Sequence, residues 1–373
     1  MHVIEIDTHN RTQVRKFLHL PFDLYRNTPQ WVPPLASDVA RMLDRSRHPF
    51  YQHSDAAFFL AEAGERIVGR IAVLDNRHYN EYNHEKTAFF YLFECEERPD
   101  TAQALFDAAF GWARARGLDC IQGPKGFTAL DGMGLLVDGF NHRPALGIPY
   151  NLPYYATFLD AAGFTGSGDV VSGYLSAKAA FPDRIHRLSE AVQKRRGLTI
   201  ARFRSRRDLR TLVPKLGTLY NASLTGTTGN VPLTEDEIQT IANQMLMFAD
   251  PRLIKIVMKD DDPIGYLFAY PDISAAVQRT GGRIYPLGWI DLLWELRRTK
   301  WVNINGAAIV EQYRGLGGTA ILFSEMYKSI IEGGFEHADV VQIGVSNENM
   351  QREMRDLGID FYKTHRNYTR EID

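Results

Sequence analysis

Three segments follow one another without a break: Trp301-Val-Asn-Ile-Asn-Gly-Ala-Ala-Ile-Val310, Glu311-Gln-Tyr-Arg-Gly-Leu-Gly-Gly318 and Thr319-Ala-Ile-Leu-Phe-Ser-Glu-Met-Tyr-Lys-Ser-Ile-Ile-Glu332. The first alternates with period two and predicts a strand ending near Val310. The third has apolar residues at 321, 322, 326, 330 and 331, which is helical spacing. Between them lies a short glycine-rich turn. A strand, a tight turn and a helix bring several unpaired backbone N–H groups and the positive end of a helix dipole to one point, which suits a phosphate. A side chain at Gly315 or Gly317 would keep the backbone away from a pyrophosphate or forbid a positive φ. Glycine spacing alone leaves a ligand-free turn equally open. The pattern lacks the third glycine of a dinucleotide fingerprint, and no Gly-Lys-Ser/Thr follows as in a Walker loop.

Downstream, Val340–Val345 predicts a strand, 347–357 a helix and 362–372 a last strand. Upstream, Leu253–Met258 and Pro263–Tyr270 predict a hairpin turning at Asp260-Asp-Asp262. Thr234-Glu-Asp-Glu237 is a capping box that opens a helix. An insertion, Tyr285 to Arg298, is Trp-rich and amphipathic. The first half runs in the same order: strand, helices (one at Ser37–Arg45 capped by Ser37), a strand hairpin, a third strand over 86–96, a helix over 100–116, then further strands around 118–122 and 170–175. A Gly/Pro/Tyr-rich stretch lies within it, from Gly123 to Phe164. Architecture repeats here without strong identity between the halves, and the boundary is expected near 180–198.

The chain has 373 residues, 45% hydrophobic, with a net charge of −2. That supports two packed domains and gives no basic excess for a dedicated nucleic-acid binder. Cys95 and Cys120 lack disulfide-scaffold and metal spacing, and their place in strands makes them buried thiols. The N-terminus has neither a basic nor an apolar leader region, and no run is apolar enough to span a membrane. A cytoplasmic protein with no metal and no membrane partner is expected.

This order, centred on Gln312-Tyr-Arg-Gly315-Leu-Gly317, resembles the GNAT superfamily of acyl-CoA-dependent N-acyltransferases, whose pyrophosphate loop follows Gln/Arg-x-x-Gly-x-Gly/Ala. Ser346-Asn347-Glu-Asn349 also fits the pattern. The resemblance implies an α/β (α+β) chain of two tandem GNAT-like domains, each a mixed, mostly antiparallel twisted sheet flanked by helices. Residues 1–180 would be a degenerate copy and 198–373 the cofactor-binding one. In the first, Glu94-Cys-Glu-Glu-Arg-Pro-Asp100 replaces the glycine loop, so no coenzyme A is expected there.

What the resemblance implies for the second half is an acetyl-CoA or other acyl-CoA co-substrate. The backbone of Tyr313, Arg314, Gly315, Leu316, Gly317 and Gly318, beside Gln312, would hold its pyrophosphate. Ile309, Val310 and Glu311 would pair with the pantetheine arm, and Asn347 or Asn349 would contact that arm. A leaving-group tyrosine common in the family is replaced by Met354, so Tyr362 stands as the candidate acid and Glu311 as a candidate base beside the loop. Asp291 and Glu295, in the insertion, are expected to be structural. The acceptor would be a small-molecule or peptide amine, in a cleft between the 225–237 loop, the Trp-rich insertion and the first half. Oligomeric state, including a homodimer, is left open. Two rivals remain at this point: a non-catalytic tandem domain that binds a ligand or partner, and an aminoacyl-tRNA-dependent transferase, for which the basic residues of 194–210 are the support.

Overall fold

A computed structural model describes residues 1–128, 131–179, 181–224 and 229–372. The strands are β1 (His2–Glu5), β2 (Asp55–Ala63), β3 (Arg66–Asp75), β4 (Thr87–Cys95), β5 (Cys120–Gly123), β6 (Leu135–Asp138), β7 (Thr165–Ser176), β8 (Leu198–Ile200), β9 (Ile254–Lys259), β10 (Asp262–Pro271), β11 (Trp301–Ile309), β12 (His337–Gly344) and β13 (Asp360–Glu371). The helices are α1 (Arg11–Leu24), α2 (Ala36–Leu43), α3 (Arg77–Asn83), α4 (Pro99–Arg114), α5 (Tyr155–Ala161), α6 (Asp183–Arg196), α7 (Arg206–Ser223), α8 (Glu235–Phe248), α9 (Ser274–Thr280), α10 (Gly288–Arg298), α11 (Gly318–Glu332) and α12 (Glu348–Asp356).

The two halves repeat the same series. In each, a short strand and two helices precede an antiparallel hairpin, then a fourth strand, a helix, a parallel fifth strand, a short helix and a long last strand. The parallel pairs are β4 with β5 and β11 with β12; the other pairings are antiparallel. Strand residues alternate between two cores because the sheet carries helices on both faces. In β2, Ala57, Phe59 and Ala61 face the core under α4, while Ala56, Phe58 and Leu60 face the core under α1 and α2. In β10, Leu267 and Ala269 face the core with α11, while Tyr266 and Phe268 lie on the α7 side.

Separate sheets were expected, but the strands form one, in the order β1-β2-β3-β4-β5-β13-β7-β12-β11-β10-β9-β8. The last strand of each half has crossed over. β13 pairs with β5 and β6 of the first half, β7 pairs with β12 of the second, and β7 and β13 pair with each other from Asp360↔Tyr174 to Thr369↔Thr165. α6, near the expected boundary, links the halves in sequence and packs on α11, where His186 meets Ser324 at 2.8 Å.

Local chemistry explains some element ends. Thr234 caps α8 with Glu237 reciprocating, as its spacing predicts, and Ser205 with Asp208 does the same for α7. Ser37 is not the cap of α2. Leu35 holds the N-cap position without a side-chain bond, and the N–H of Ala36 is taken instead by the carbonyl of Gly282, from the insertion. Both cysteines are free thiols, Cys95 buried in β4 and Cys120 half-buried in β5. No helix is long and apolar enough to cross a membrane among the described residues.

Candidate functional site

β11 and β12 pair only from Trp301↔His337 to Ile304↔Val340, while the other edge of β12 stays paired with β7 from His337↔Ser176 to Gly344↔Val170. The β12-facing edge of β11 is therefore unpaired from Asn305 onward. A bulge sits just past the divergence. Leu267 faces Ala307 and Ala269 faces Ile304, so Asn305 and Gly306 together oppose Phe268, with Gly306 at φ 82°. The first half carries the same device: Leu92 and Phe93 of β4 oppose Ile71 of β3, and Leu92 sits at φ 52°. A leucine in that region is strained, which marks the bulge as imposed by the architecture.

From Ile309 the chain enters a single 3-10 turn, Glu311–Tyr313, and reaches α11 through Arg314 and the glycines. Gly315 and Gly317 have φ of 72° and 88°. Gly317 caps α11 with no side-chain bond, and among the described residues no backbone or side-chain acceptor takes the N–H groups of 315–320. Such a row of donors at a helix N-terminus fits a pyrophosphate. Arg314 is exposed, but its guanidinium turns back to donate to the carbonyls of Ile309 (3.2 Å) and Ser223 (2.9 Å) and braces the turn. The N–H of Val310 goes to the Ile264 carbonyl. Within 309–311 all three carbonyls are taken by the turn, Ile309 by the Arg314 guanidinium, Val310 by Tyr313 N–H and Glu311 by Arg314 N–H, so the longer free edge lies just upstream.

In the first half the corresponding turn offers no such row. Thr101 and Ala102 donate to the carbonyl of Arg98, Pro99 has no N–H, Arg98 pairs with Asp100 at 3.0 Å, and Glu96 pairs with Arg66. Glu94 points inward and accepts from Tyr25 (2.5 Å) and Tyr155 (2.8 Å), with Arg70 at 4.0 Å. Burial raises its pKa, opposed by Arg70 and the two phenols.

A cavity of about 310 Å³ lies between the halves. Its wall includes Trp31, Leu35 and Met42 from the α1–α2 region, Tyr91 to Glu94 at the β4 bulge, parts of the 124–151 loop, Thr240 to Ala249 of α8 and its end, and Tyr270 and Asn305. The lining is predominantly apolar, with Asp38, His48, Arg70, Glu94 and Asp131 as its titratable groups besides Arg41 and the tyrosines. Burial pushes Asp131 up to about 6, against backbone hydrogen bonds from Thr128 and Phe127. Burial pushes His48 down to about 4, helped by Arg41, so its imidazole is neutral at pH 7.

The proposed catalytic residues lie elsewhere. Tyr362, on β13, packs on His142 (centroids 4.7 Å apart), and burial followed by the Asp339 carboxylate drives its pKa strongly upward. Glu311 is exposed in the turn, and neither residue lines the cavity. Met354 is fully buried in the core. Asn347 caps α12 by accepting from Met350 N (3.1 Å), and Asn349 is exposed in the following turn. Asp291 and Glu295 are both held by Arg279. The 225–228 part of the expected acceptor cleft lies outside the described residues. The cavity-facing carboxylates were not singled out from sequence, since nothing in their spacing sets them apart. Gly306 had a signal: a lone glycine in a strand pattern points to a bulge.

No family model matches the chain. It is 27% identical over 371 residues to Protein YghO of Escherichia coli K12, covering 97% of this chain and 94% of that protein. It is 26% identical over 372 residues to the bacterial ceramide synthase of Caulobacter vibrioides, covering 96% and 95%. Among solved structures, a tandem GNAT protein from the clavulanic acid biosynthesis pathway superposes with a TM-score of 0.55 at 13% identity, over 100% of this chain and 98% of that one. The chain has the tandem GNAT fold.

Proposed function

We propose that this protein is an acyl-CoA-dependent N-acyltransferase whose acceptor is a long-chain amine. The observation that carries the reading is Asn305. It lies on the bulge at the unpaired edge of β11, and it also lines the apolar cavity. The same strand runs on into the donor row of 315–320. On this reading one continuous segment runs from the pyrophosphate loop past the thioester to the acceptor cavity. Relatedness over nearly the whole length to a protein named ceramide synthase supports a lipidic acceptor, because a ceramide is the N-acyl amide of a long-chain amino alcohol.

In this mechanism the backbone of 315–320 binds the pyrophosphate, and the free edge of β11 pairs with the pantetheine arm as an added strand. N–H groups on that edge polarise the thioester carbonyl. The amine nitrogen attacks the carbonyl carbon, the C–N bond forms, the C–S bond breaks and the thiolate leaves. The cavity carboxylates hold the arriving ammonium; Asp131, with its pKa of about 6, takes the proton that frees the amine for attack, and the proton released from nitrogen as the amide forms goes to the departing thiolate. Most of the rate gain comes from orientation.

Thermal unfolding with acetyl-CoA and with long-chain acyl-CoA tests the cofactor site. Either should raise the melting temperature, and Gly315→Glu should abolish the rise while the protein stays folded. Amide formation from a long-chain amino alcohol should follow in mass spectra. Absence of a shift with every acyl-CoA would refute the assignment. A shift without turnover on a broad amine panel would favour a binding protein, the reading that buried Met354 supports.

A further inference from the structure

The sequence suggested no membrane partner, yet α10 presents an apolar face that nothing in the fold covers. Tyr285, Leu287, Trp289, Ile290, Leu293 and Trp294 are 82%, 68%, 45%, 51%, 46% and 47% exposed. From Trp289 onward these positions follow helical spacing, so they form one stripe. The opposite side of the same helix is buried: Leu292, with Leu296 partly, packs into a cluster with Leu35, Val277, Val32 and Phe248. Leu35, Val32 and Phe248 also line the cavity. The insertion is fastened there by Gln278, whose side chain donates to the carbonyls of Pro29 and Trp31 at 2.8 Å each, and by the Ala36 N–H on Gly282.

The unpaired charges beside the stripe have one sign. Arg283, Arg297 and Arg298 are exposed, and among the described residues no carboxylate pairs with them. Asp291 and Glu295, the two acids of the helix, both pair with Arg279, which offsets one of their two charges and leaves the arginines beside the stripe in excess. Arg298 lies over the Trp294 ring at 4.0 Å. Tryptophan and tyrosine flanked by arginine, on a helix too short to span, is the composition of a helix that lies in the plane of an interface. A second copy of this chain would have to bury three arginines without partners, whereas an anionic bilayer supplies phosphates for them.

We infer that α10 and residues 285–287 dock on an anionic phospholipid surface, with the cavity mouth close behind. In its choice of a lipidic acceptor this rests on the function proposed above: a substrate held in the membrane would reach the cavity without crossing water.

Flotation of the full chain with vesicles of phosphatidylglycerol, compared with phosphatidylcholine, tests it. The protein should float with the anionic vesicles and weaken in high salt. Brominated acyl chains should quench Trp289 fluorescence, read as the difference between the wild type and Trp289→Phe. Trp289→Ser with Leu293→Ser should cut vesicle binding by about tenfold or more, and Arg297→Glu with Arg298→Glu by at least as much. Both variants should keep the acyl-CoA melting shift, because neither touches the glycine loop. No flotation with anionic vesicles would overturn the inference and leave the acyl-CoA reading standing. So would a concentration-dependent dimer that protects Trp289 in the absence of lipid. Flotation without any acyl-CoA shift would uphold docking and remove the enzyme assignment.

Discussion

A methyl group at Gly317 would lie 2.6 Å from Cγ2 of Val192 on α6, whereas one at Gly315 meets nothing within 4 Å. Both have positive φ, so both substitutions strain the backbone by about 1 kcal/mol, but only Gly317 is also closed by packing. Gly317→Ala should therefore lower the melting temperature by several degrees more than Gly315→Ala, in the absence of any ligand. Equal loss in a thermal scan of the two variants would contradict this. The motif was legible in sequence; which of its glycines is closed in by packing was not, because α6 is more than a hundred residues away. Asp131 allows a test of the chemistry. Its pKa of about 6 lies above an ordinary carboxyl value near 3.8. The folded state therefore takes up the proton first as pH falls, and the stability this group provides is lost as pH rises through 6. If Asp131 takes the proton, activity needs its ionised form and should fall below pH 6. Asp131→Asn should reduce kcat/KM about a hundredfold and remove that acid limb, while stability at pH 8 stays level or rises. An unchanged pH–rate profile would exclude Asp131 as the proton acceptor.

At the scale of elements, capping boxes and hairpins could be read from the chain because their physics is local. Thr234 and Glu237 satisfy each other, and the turn between β9 and β10 falls at the acidic run, with Asp260 at φ 54°. The elements that escaped reading depend on distant partners. β6 is four residues long and exists through its pairing with β13. α2 begins where Gly282 supplies an acceptor, so Ser37 beside it was misleading. The bulge of β11 belongs to this class too, since it is defined by the register against β10. If its free edge polarises the thioester, a branched residue at Gly306 should straighten the strand, because φ 82° is closed to it. Gly306→Val should lower kcat by about 10² to 10³ and leave acyl-CoA affinity within a few-fold, measured by calorimetry. Loss of affinity with unchanged kcat would place the edge in binding alone.

The repeat of architecture was readable along the chain, but the crossing of β7 and β13 was not, because nothing in the alternation of a strand says which half it completes. Side chains show how the crossing is held. β13 gives Tyr368 to the core of the first half and Phe361 to that of the second, while Phe164, just before β7, and Leu175, near its end, do the same. In the middle, Lys363 of β13 and Asp339 of β12 form a buried pair at 2.7 Å. The Asp339 carboxyl is raised by burial and lowered by that ammonium. Breaking such a pair costs about 3–5 kcal/mol, since the partner is left charged and dry. A fragment ending at 180 would lack Tyr368 in its core and leave β5 unpaired on its β13 side. A fragment starting at 198 would lack β7 and leave Lys363 beside an open edge. Expressed singly, the two pieces 1–197 and 198–373 should fail to fold cooperatively, with little near-ultraviolet dichroism and fast amide exchange. Expressed together they should assemble one to one and recover the acyl-CoA melting shift. Sharp, independent unfolding of either piece alone would mean that each half can close on its own last strand. In that case the cavity, whose wall comes from both halves, would owe its shape to docking rather than to the shared sheet.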